Sequence, residues 1–482
     1  MLLQKLLNTA LIFFVLLALG CKTASKEKAI KKPNIILINV DDLGWKDLGF
    51  MGSTYYETPN LNALAKEGLV FTNAYAGAAN CAPSRACMIS GLNTPRHGVF
   101  TVSPSDRGQI KTRQIIPIKN TDHLNDSIYT LPQMLKSAGY ITASFGKWHV
   151  GEDPSKQGID INVGGSSKGN PGKGGYFSPY NIDFIKNGPD GEYLTDRLTN
   201  EAINFIEKFK DSTFFVYLPY YTVHTPIMGK EHLIEKFKNK KGVAGQNNPE
   251  YAAMVASMDE NVGRLLASLK EKGLEKNTLI IFTSDNGGIR AISHQDPLRA
   301  GKGSYYEGGV RVPLIIKWPD HLTANTVTHT NVSNLDFYPT LQTIAQPKNR
   351  AKVLDGLDLN NLVKGETIKD RDLFFHFPIY LQAYNKGKDG SRDPLFRTRP
   401  GSVIISGHWK LHHYFEDNAM ELYNLKEDAG EQHNLAEQNP QKTKELYKKL
   451  ETWRLESNAP VPTERNIEYS AEFDTQQQTK FQ

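Results

Sequence analysis

The chain has 482 residues, 39% of them apolar, enough for a large core and more than one domain. A formal net charge of +5 is slight for this length; it suits anionic substrates and gives no case for nucleic acid. Three cysteines, with no histidine close to the 81/87 pair in sequence, give neither a disulfide framework nor a zinc site.

Lys5 precedes an apolar run over residues 6–19, interrupted only by Asn8 and Thr9. It is too short to span a bilayer, which takes roughly 20 apolar residues, and reads as the core of a signal peptide over residues 1–20. The run ends in Gly20-Cys21, which resembles a bacterial lipoprotein processing site, although Ala18 replaces the usual leucine. Lipidated Cys21 would then begin the mature chain, with residues 21–32 as a polar, basic tether. An ordinary cleaved signal peptide is the alternative.

Residues 34–40 form a near-continuous apolar run, as expected of a strand buried on both faces of a parallel sheet, and end at Asp41-Asp42-Leu43-Gly44. A helix is expected from Thr58 to Gly68, then a short strand over 69–71. The stretch Asn80-Cys81-Ala82-Pro83-Ser84-Arg85 reads as a loop feeding a helix that stops at Gly91. Cys81 would sit at the N-terminus, where free N–H groups and the helix dipole favour an anion, with Arg85 a turn further on. A buried structural cysteine is the plainer reading of such a residue taken alone. Residues 100–127 are polar and irregular. A helix over 130–139 leads to a strand over 141–145 and to Gly146-Lys147-Trp148-His149, followed by a long Gly-, Lys- and Asn-rich loop over 151–192. Helical spacing over 193–210 precedes a strand over 214–218 and then His224-Thr225-Pro226. A long helix over 249–272 precedes a strand over 278–282 ending at Ser284-Asp285-Asn286-Gly287-Gly288; Lys302 lies in the next loop. A strand over 312–318 and a helix over 334–345 complete the alternation.

This order predicts an α/β fold: a large N-terminal α/β/α domain (33–350) with a mainly parallel central sheet. A smaller C-terminal α+β domain (351–458) with a short antiparallel sheet follows. Residues 459–482 form a polar tail expected to be partly disordered.

Asp41 and Asp42, Lys147 and His149, His224, and Asp285 and Asn286 each fall just beyond a strand's carboxyl end, where open α/β sheets bind ligands. Four segments are thus expected to converge where the Cys81 helix also presents its N-terminus. Each taken alone has a plain reading, as a cap, a turn or a packed histidine. Three aspartates and an asparagine make an all-oxygen donor set, suited to a hard cation such as calcium or magnesium. Arg85, Lys147 and Lys302 supply fixed positive charge, and His149 and His224 can carry protons.

Cys81-Ala82-Pro83-Ser84-Arg85 resembles the signature of the formylglycine-dependent sulfatases, with Ser90-Gly91 where the family has Thr-Gly. The motifs at 41–44, 146–149, 224–226, 284–288 and 301–313 also look like those of that family, in its order. The C-terminal segments at 421–425 and 434–436 do as well, so the resemblance spans about 33–455. It implies that Cys81 is oxidised to formylglycine by a sulfatase-maturating enzyme, and that Asp41, Asp42, Asp285, Asn286 and residue 81 bind Ca2+. It further implies that the hydrated aldehyde attacks sulfur and that His224 with Lys302 assists the leaving oxygen. His149 would deprotonate the remaining hydroxyl to expel sulfate, while Arg85 and Lys147 hold the diol and the sulfate oxygens. Resemblance to bacterial polysaccharide-utilisation sulfatases implies a sulfated, algal-type oligosaccharide, such as ulvan, as substrate. The apolar run at 6–19 and Cys21 imply a lipid-anchored periplasmic or cell-surface location in a Gram-negative bacterium. Alternatives are a glycosaminoglycan sulfatase or arylsulfatase, a phosphomonoesterase or phosphonate hydrolase of the same superfamily, and a non-catalytic glycan-binding lipoprotein. Tyr176, Phe177, Tyr180, Tyr220 and Tyr221 are candidates for stacking on sugar rings, or for loop packing. Arg392, Arg397 and Arg399 are candidates for binding a neighbouring sulfate or carboxylate, or for a solvated basic loop.

Overall fold

The computed structural model describes residues 32–102, 104–368 and 370–481; the signal peptide, Cys21 and the tether up to residue 31 lie outside them. The first strand, β1 (Asn34–Val40), is buried along its whole length. Its side chains alternate between two layers. Ile36, Ile38 and Val40 pack with the helices Pro59–Lys66, Leu194–Lys208 and Pro249–Glu271. Ile35 and Leu37 pack with the helices Cys81–Ser90, Leu131–Ser137 and Phe337–Ala345. Two apolar faces on one strand require cover on both sides, which gives the α/β/α sandwich.

Eight further strands complete the central sheet: β2 (Leu69–Tyr75), β3 (Ile141–Phe145), β4 (Ile161–Val163), β5 (Phe214–Tyr220), β6 (Thr278–Ser284), β7 (Arg311–Lys317), β8 (Thr326–Thr328) and β9 (Val332–Ser333). The order is β4-β3-β5-β1-β6-β7-β2-β8, with β9 also paired to β2. All neighbours are parallel except β7, which runs antiparallel to both β6 and β2. β4 comes from within the expected 151–192 loop, where three half-buried residues add to the sheet edge.

In the C-terminal part, β10 (Asp372–Phe377), β13 (Gly401–Ser406), β14 (Trp409–Tyr414) and β15 (Met420–Asn424) form an antiparallel sheet. A hairpin of β11 (Leu381–Gln382) and β12 (Phe396–Thr398) lies apart from it. The helix Pro440–Glu456 covers one face through Leu446 and Leu450. The two parts form one compact unit, Pro33–Gln482. At their junction the buried Lys410 Nζ lies 2.9 Å from Glu307 Oε1 and 3.0 Å from Glu431 Oε1.

The tail departs from the expectation of disorder. Residues Ala471–Thr479 are helical, capped by the Ser470 side chain. Ile116 N donates to the Glu464 carbonyl at 2.9 Å and Asn466 N to the Gln114 carbonyl at 3.0 Å. Asp474 closes on Arg399 at 3.5 Å. A polar composition argues for disorder only when nothing buried binds it; here Arg399 and the backbone of the 110–116 loop do.

Candidate active site

β3, β5, β1 and β6 are consecutive neighbours in the sheet, and each hands one motif to the same edge. Past β1 come Asp41 and Asp42; past β3, Lys147 and His149; past β5, His224; past β6, Asp285 and Asn286. Backbone bonds continue the sheet into the site: Asp41 N to the Thr222 carbonyl (3.0 Å), Asp285 N to the Val40 carbonyl (3.2 Å), and Lys147 N to the Pro219 carbonyl (2.8 Å). Asp42 and His149 both take left-handed backbone conformations, with φ of 61° and 67°. Such geometry is uncommon in non-glycine residues, and here it turns both side chains into the site.

Cys81 is the first residue of its helix, with Asn80 as N-cap, and is 2% exposed. Gly91, at φ 68°, closes the helix in the left-handed turn that glycine adopts without strain. The Lys302 loop is tied to the Cys81 loop by Gly303 N donating to the Ala79 carbonyl at 2.8 Å.

The charged groups interlock and are almost wholly buried. Lys147 Nζ is 2.7 Å from Asp41 Oδ2, and Lys302 Nζ is 2.7 Å from Asp42. Arg85 Nε donates to Asp285 Oδ2 at 2.8 Å and its Nη1 to the Lys147 carbonyl at 2.7 Å. Asp42 N donates to Asp285 Oδ1 at 3.1 Å, and Asn286 Nδ2 to Asp42 Oδ1 at 2.9 Å. Burial pushes Asp41 up to about 8; Lys147 opposes this and Asp285 and Asp42 reinforce it. Against the cost of burial, Lys302 holds Asp42 below the usual carboxylate range. Lys302 itself is raised: burial opposes its charge, but Asp42 together with smaller contributions from Asp41 and its other neighbours outweighs it.

Both histidines are held neutral. Burial and then Lys302 bring His224 down to about 3. Burial, then Lys147 and Arg85, depress His149. His224 Nδ1 lies 2.7 Å from the Thr225 carbonyl, which assigns it as the donor and turns Nε2 toward Asp42, 3.7 Å away. His149 Nδ1 is buried without a hydrogen-bond partner. Gly169, from the 151–192 loop, lies against the His149 ring so closely that a Cβ there would collide with it.

Asp41 Oδ1 and Asn286 Oδ1 are buried oxygens without a hydrogen-bond partner. Two such oxygens from the expected ligand set, in a site where Arg85 Nη2 and His149 Nδ1 are also unmet, suit a hard cation. Asp41, Asp42 and His224 also bring ligand atoms within 4.8 Å of one another. The unmet oxygens Asp41 Oδ1 and Asn286 Oδ1 favour the oxygen set, while His224, with Nδ1 on the Thr225 carbonyl and Nε2 facing Asp42, keeps a nitrogen in ligand position beside it. Among the described residues this is the one such cluster, which disfavours the histidine-rich two-metal arrangement of a phosphatase.

Two groups of peripheral candidates are corrected. Tyr176, Tyr180, Tyr220 and Tyr221 are buried and cannot stack on a sugar. Tyr176 instead donates to the Tyr221 carbonyl (2.6 Å) and the His224 carbonyl (2.7 Å), which positions the His224 turn. Tyr220 pairs with Thr199, and Tyr221 donates to the Gly164 carbonyl; Phe177 is half-buried against Tyr193. Arg399 is consumed by Glu416 (2.9 Å), Asp393 (2.6 Å) and Asp474, and Arg392 by Asp417 and Glu421. Arg397 donates to the carbonyl oxygens of Gln382 and Lys302, whereas Arg399 adds the Thr112 carbonyl to its carboxylates. Tyr217 was not anticipated: its hydroxyl meets Arg85 Nη1 and Asn39 Nδ2, both at 3.4 Å. It lies mid-strand in an apolar run, where sequence gives no sign of a polar role.

The family model described as Sulfatase matches residues 33–346, and that described as N-sulphoglucosamine sulphohydrolase, C-terminal, matches residues 301–458. A "Sulfatase" of Formosa agariphila is 34% identical, covering 95% of this chain and 95% of that protein. The N-acetylgalactosamine-6-sulfatase of Mus musculus is 33% identical over 78% of this chain and 74% of its own length. The crystal structure of Ps i-CgsB, also solved in complex with k-i-k-neocarrahexaose, superposes with a TM-score of 0.72 at 30% identity, covering 93% of this chain and 98% of that one. The chain therefore belongs to the sulfatase family, with its alkaline-phosphatase-like fold, and is a sulfuric ester hydrolase.

Proposed function

We propose that the protein removes sulfate from oligosaccharides of a sulfated polysaccharide, of algal type, using formylglycine at residue 81 and Ca2+ held by Asp41, Asp42, Asp285, Asn286 and residue 81. The observation that carries the reading is the convergence of these residues with Arg85, Lys147 and Lys302 at one sheet edge, with Asp41 Oδ1 and Asn286 Oδ1 left unmet. The bound cation would supply charge stabilisation for the sulfuryl oxygens and for the nucleophile. Hydrated formylglycine, made from Cys81 by a sulfatase-maturating enzyme, supplies one hydroxyl to attack sulfur and a second whose deprotonation releases sulfate.

The chain's own groups divide the remaining work. Arg85 is held by Asp285 and the Lys147 carbonyl, so its guanidinium is fixed before substrate arrives. Lys147 and Lys302, held beside Asp41 and Asp42, are placed to hold the ester oxygens. With its N–H at Nδ1 on the Thr225 carbonyl, neutral His224 carries no proton on Nε2; it passes one to the leaving oxygen only after Nε2 takes up a proton from solvent, which an anionic ester favours by offsetting the repulsion from Lys302. His149, neutral and with Nδ1 unmet, is the base for the residue-81 hydroxyl.

The algal assignment draws on the Formosa agariphila relative and on the neocarrahexaose complex of Ps i-CgsB; the likeness to N-acetylgalactosamine-6-sulfatase supports a glycosaminoglycan as the second reading. The test is sulfate release from desalted oligosaccharides of ulvan, carrageenan, fucoidan and chondroitin sulfate, beside an aryl sulfate and an aryl phosphate. Turnover of an algal oligosaccharide is expected. Turnover of chondroitin fragments alone would move the assignment to the second reading, and of the aryl sulfate alone would remove the glycan.

We further propose that lipidated Cys21 anchors the protein at the periplasmic or outer face of a Gram-negative envelope. Cys21 follows a signal-peptide-like apolar run. No helix among the described residues is long and apolar enough to cross a membrane. Wild type should partition into detergent and Cys21→Ala into the aqueous phase; identical behaviour of the two would end the lipid assignment.

A further inference from the structure

His149 needs support from outside its own turn. Its backbone is left-handed, and its Nδ1 is buried without a partner, so that nitrogen does nothing to hold the imidazole. The support comes from a short stretch of the 151–192 loop. His149 N donates to the Ser166 carbonyl at 2.8 Å. Three residues further on, Gly169 lies against the ring. A Cβ built on Gly169 would fall 2.4 Å from His149 Cε1, 2.6 Å from Nε2 and 3.0 Å from Nδ1, and these are the three atoms nearest to it.

The stretch is anchored where it enters. Tyr221 Oη donates to the Gly164 carbonyl at 2.8 Å. Asn162, in β4, donates from Nδ2 to the Gly165 carbonyl at 2.9 Å and accepts from Gly165 N at 3.1 Å. Ser167 Oγ on Glu152 and Lys168 Nζ on Asp183 add exposed ties, which are worth little. Residues 164–166 are thus fixed to the sheet and to the residues after β5, and they carry Gly169 onto the ring. The φ of Gly169 lies outside the left-handed region, so alanine can take the same backbone. The imidazole is what stands in the way of a side chain there. It turns about two single bonds, so an added methyl displaces the ring more readily than the anchored backbone. A general base must lie within hydrogen-bond reach of the proton it takes, and a displaced ring loses that reach.

We propose that Gly169 is a positioning residue for the sulfatase reaction: lacking a side chain, and carried by the stretch that holds the His149 backbone at Ser166, it backs the His149 imidazole and fixes its orientation in the site. This rests on the sulfatase reading above, with His149 as base, and adds to it a requirement for glycine at position 169.

Gly169→Ala and His149→Ala would be made singly and together and compared on the sulfate ester that wild type turns over best. Gly169→Ala is expected to fold with little change in Tm and to lower kcat by about 10–100-fold with KM nearly unchanged, the cost of a base held about 1 Å out of place. In the His149→Ala background the same substitution should cost almost nothing, because it acts only through the ring it displaces. An equal loss in both backgrounds, a loss confined to KM, or full activity of Gly169→Ala would overturn the proposal. Ring resonances of isotopically labelled histidine give a readout independent of turnover. The His149 signals, identified by their absence from His149→Ala, should shift in Gly169→Ala. If wild type releases no sulfate from any ester, the sulfatase reading fails, and these signals still decide the contact: unshifted resonances would overturn it.

Discussion

Cys81→Ala protein is expected to release sulfate at least about 10^4-fold more slowly than wild type, as enzymes stripped of their nucleophile do. Cys81 opens its helix within reach of the Arg85 and Lys302 charges. Cys87, on the same helix, serves as an internal control. It is fully buried, its thiol is raised by burial and lies 3.4 Å from His97 Nε2, and nothing ties it to the acidic cluster. Cys87→Ala should therefore lose stability to a cavity while its folded fraction keeps its turnover. Mass spectrometry of the peptide carrying residue 81 should show loss of sulfur in active protein, and the peptide carrying residue 87 should retain it if cleaved apart. Full turnover in Cys81→Ala, or active protein with an intact thiol at 81, would sink the assignment.

The inner site was legible because its parts follow strands that announce themselves. Residues 34–40, 214–218 and 278–282 are apolar on both faces, which only a doubly covered sheet accommodates, so the residues just after them had to meet at one edge. Asp41, Lys147, His224 and Asp285 do so because β3, β5, β1 and β6 are sheet neighbours. The periphery was not legible, for two physical reasons. An arginine reads alike whether it faces solvent or a carboxylate far along the chain: Arg399 is met by Asp474, 75 positions on, and only the fold brings that tail back. A tyrosine in a polar loop reads alike as a platform or as a buried post. Tyr176 hydrogen-bonds the carbonyl of His224 and is closed from solvent, whereas Tyr384, in an equally polar loop, stands exposed over Arg397.

Removal of the cation should be nearly as damaging as loss of the nucleophile. Counted with Asp41 ionised, as a bound cation would hold it against the burial that otherwise raises it to about 8, the protein's own charges in the inner site balance: Asp41, Asp42 and Asp285 against Arg85, Lys147 and Lys302. A balanced, desolvated cluster has little net attraction for an anionic ester, so the ion pairs alone do not explain sulfate binding. A divalent cation changes that sum to +2 and gives Asp41 Oδ1 and Asn286 Oδ1 the partner they lack. Chelator-treated protein is accordingly expected to lose at least about 100-fold in sulfate release, with Ca2+ restoring it. Stability provides a readout independent of turnover. Ca2+ at about 1,000 times its dissociation constant stabilises the fold by about 4 kcal/mol, provided the unfolded chain does not bind it, and Tm should rise accordingly. In Asp285→Ala and Asn286→Ala that rise should shrink or vanish. Asp285→Ala carries a second penalty, because Arg85 is left buried without its main carboxylate, a loss of about 3–5 kcal/mol. Asn286→Ala removes an unmet oxygen and the Nδ2 hydrogen bonds to the Asp42 carboxylate and the Gly287 carbonyl, but no ion pair, so it separates metal binding from ion pairing. A calcium-dependent Tm shift undiminished in Asn286→Ala, together with full turnover after chelation, would show that these oxygens hold no catalytic cation.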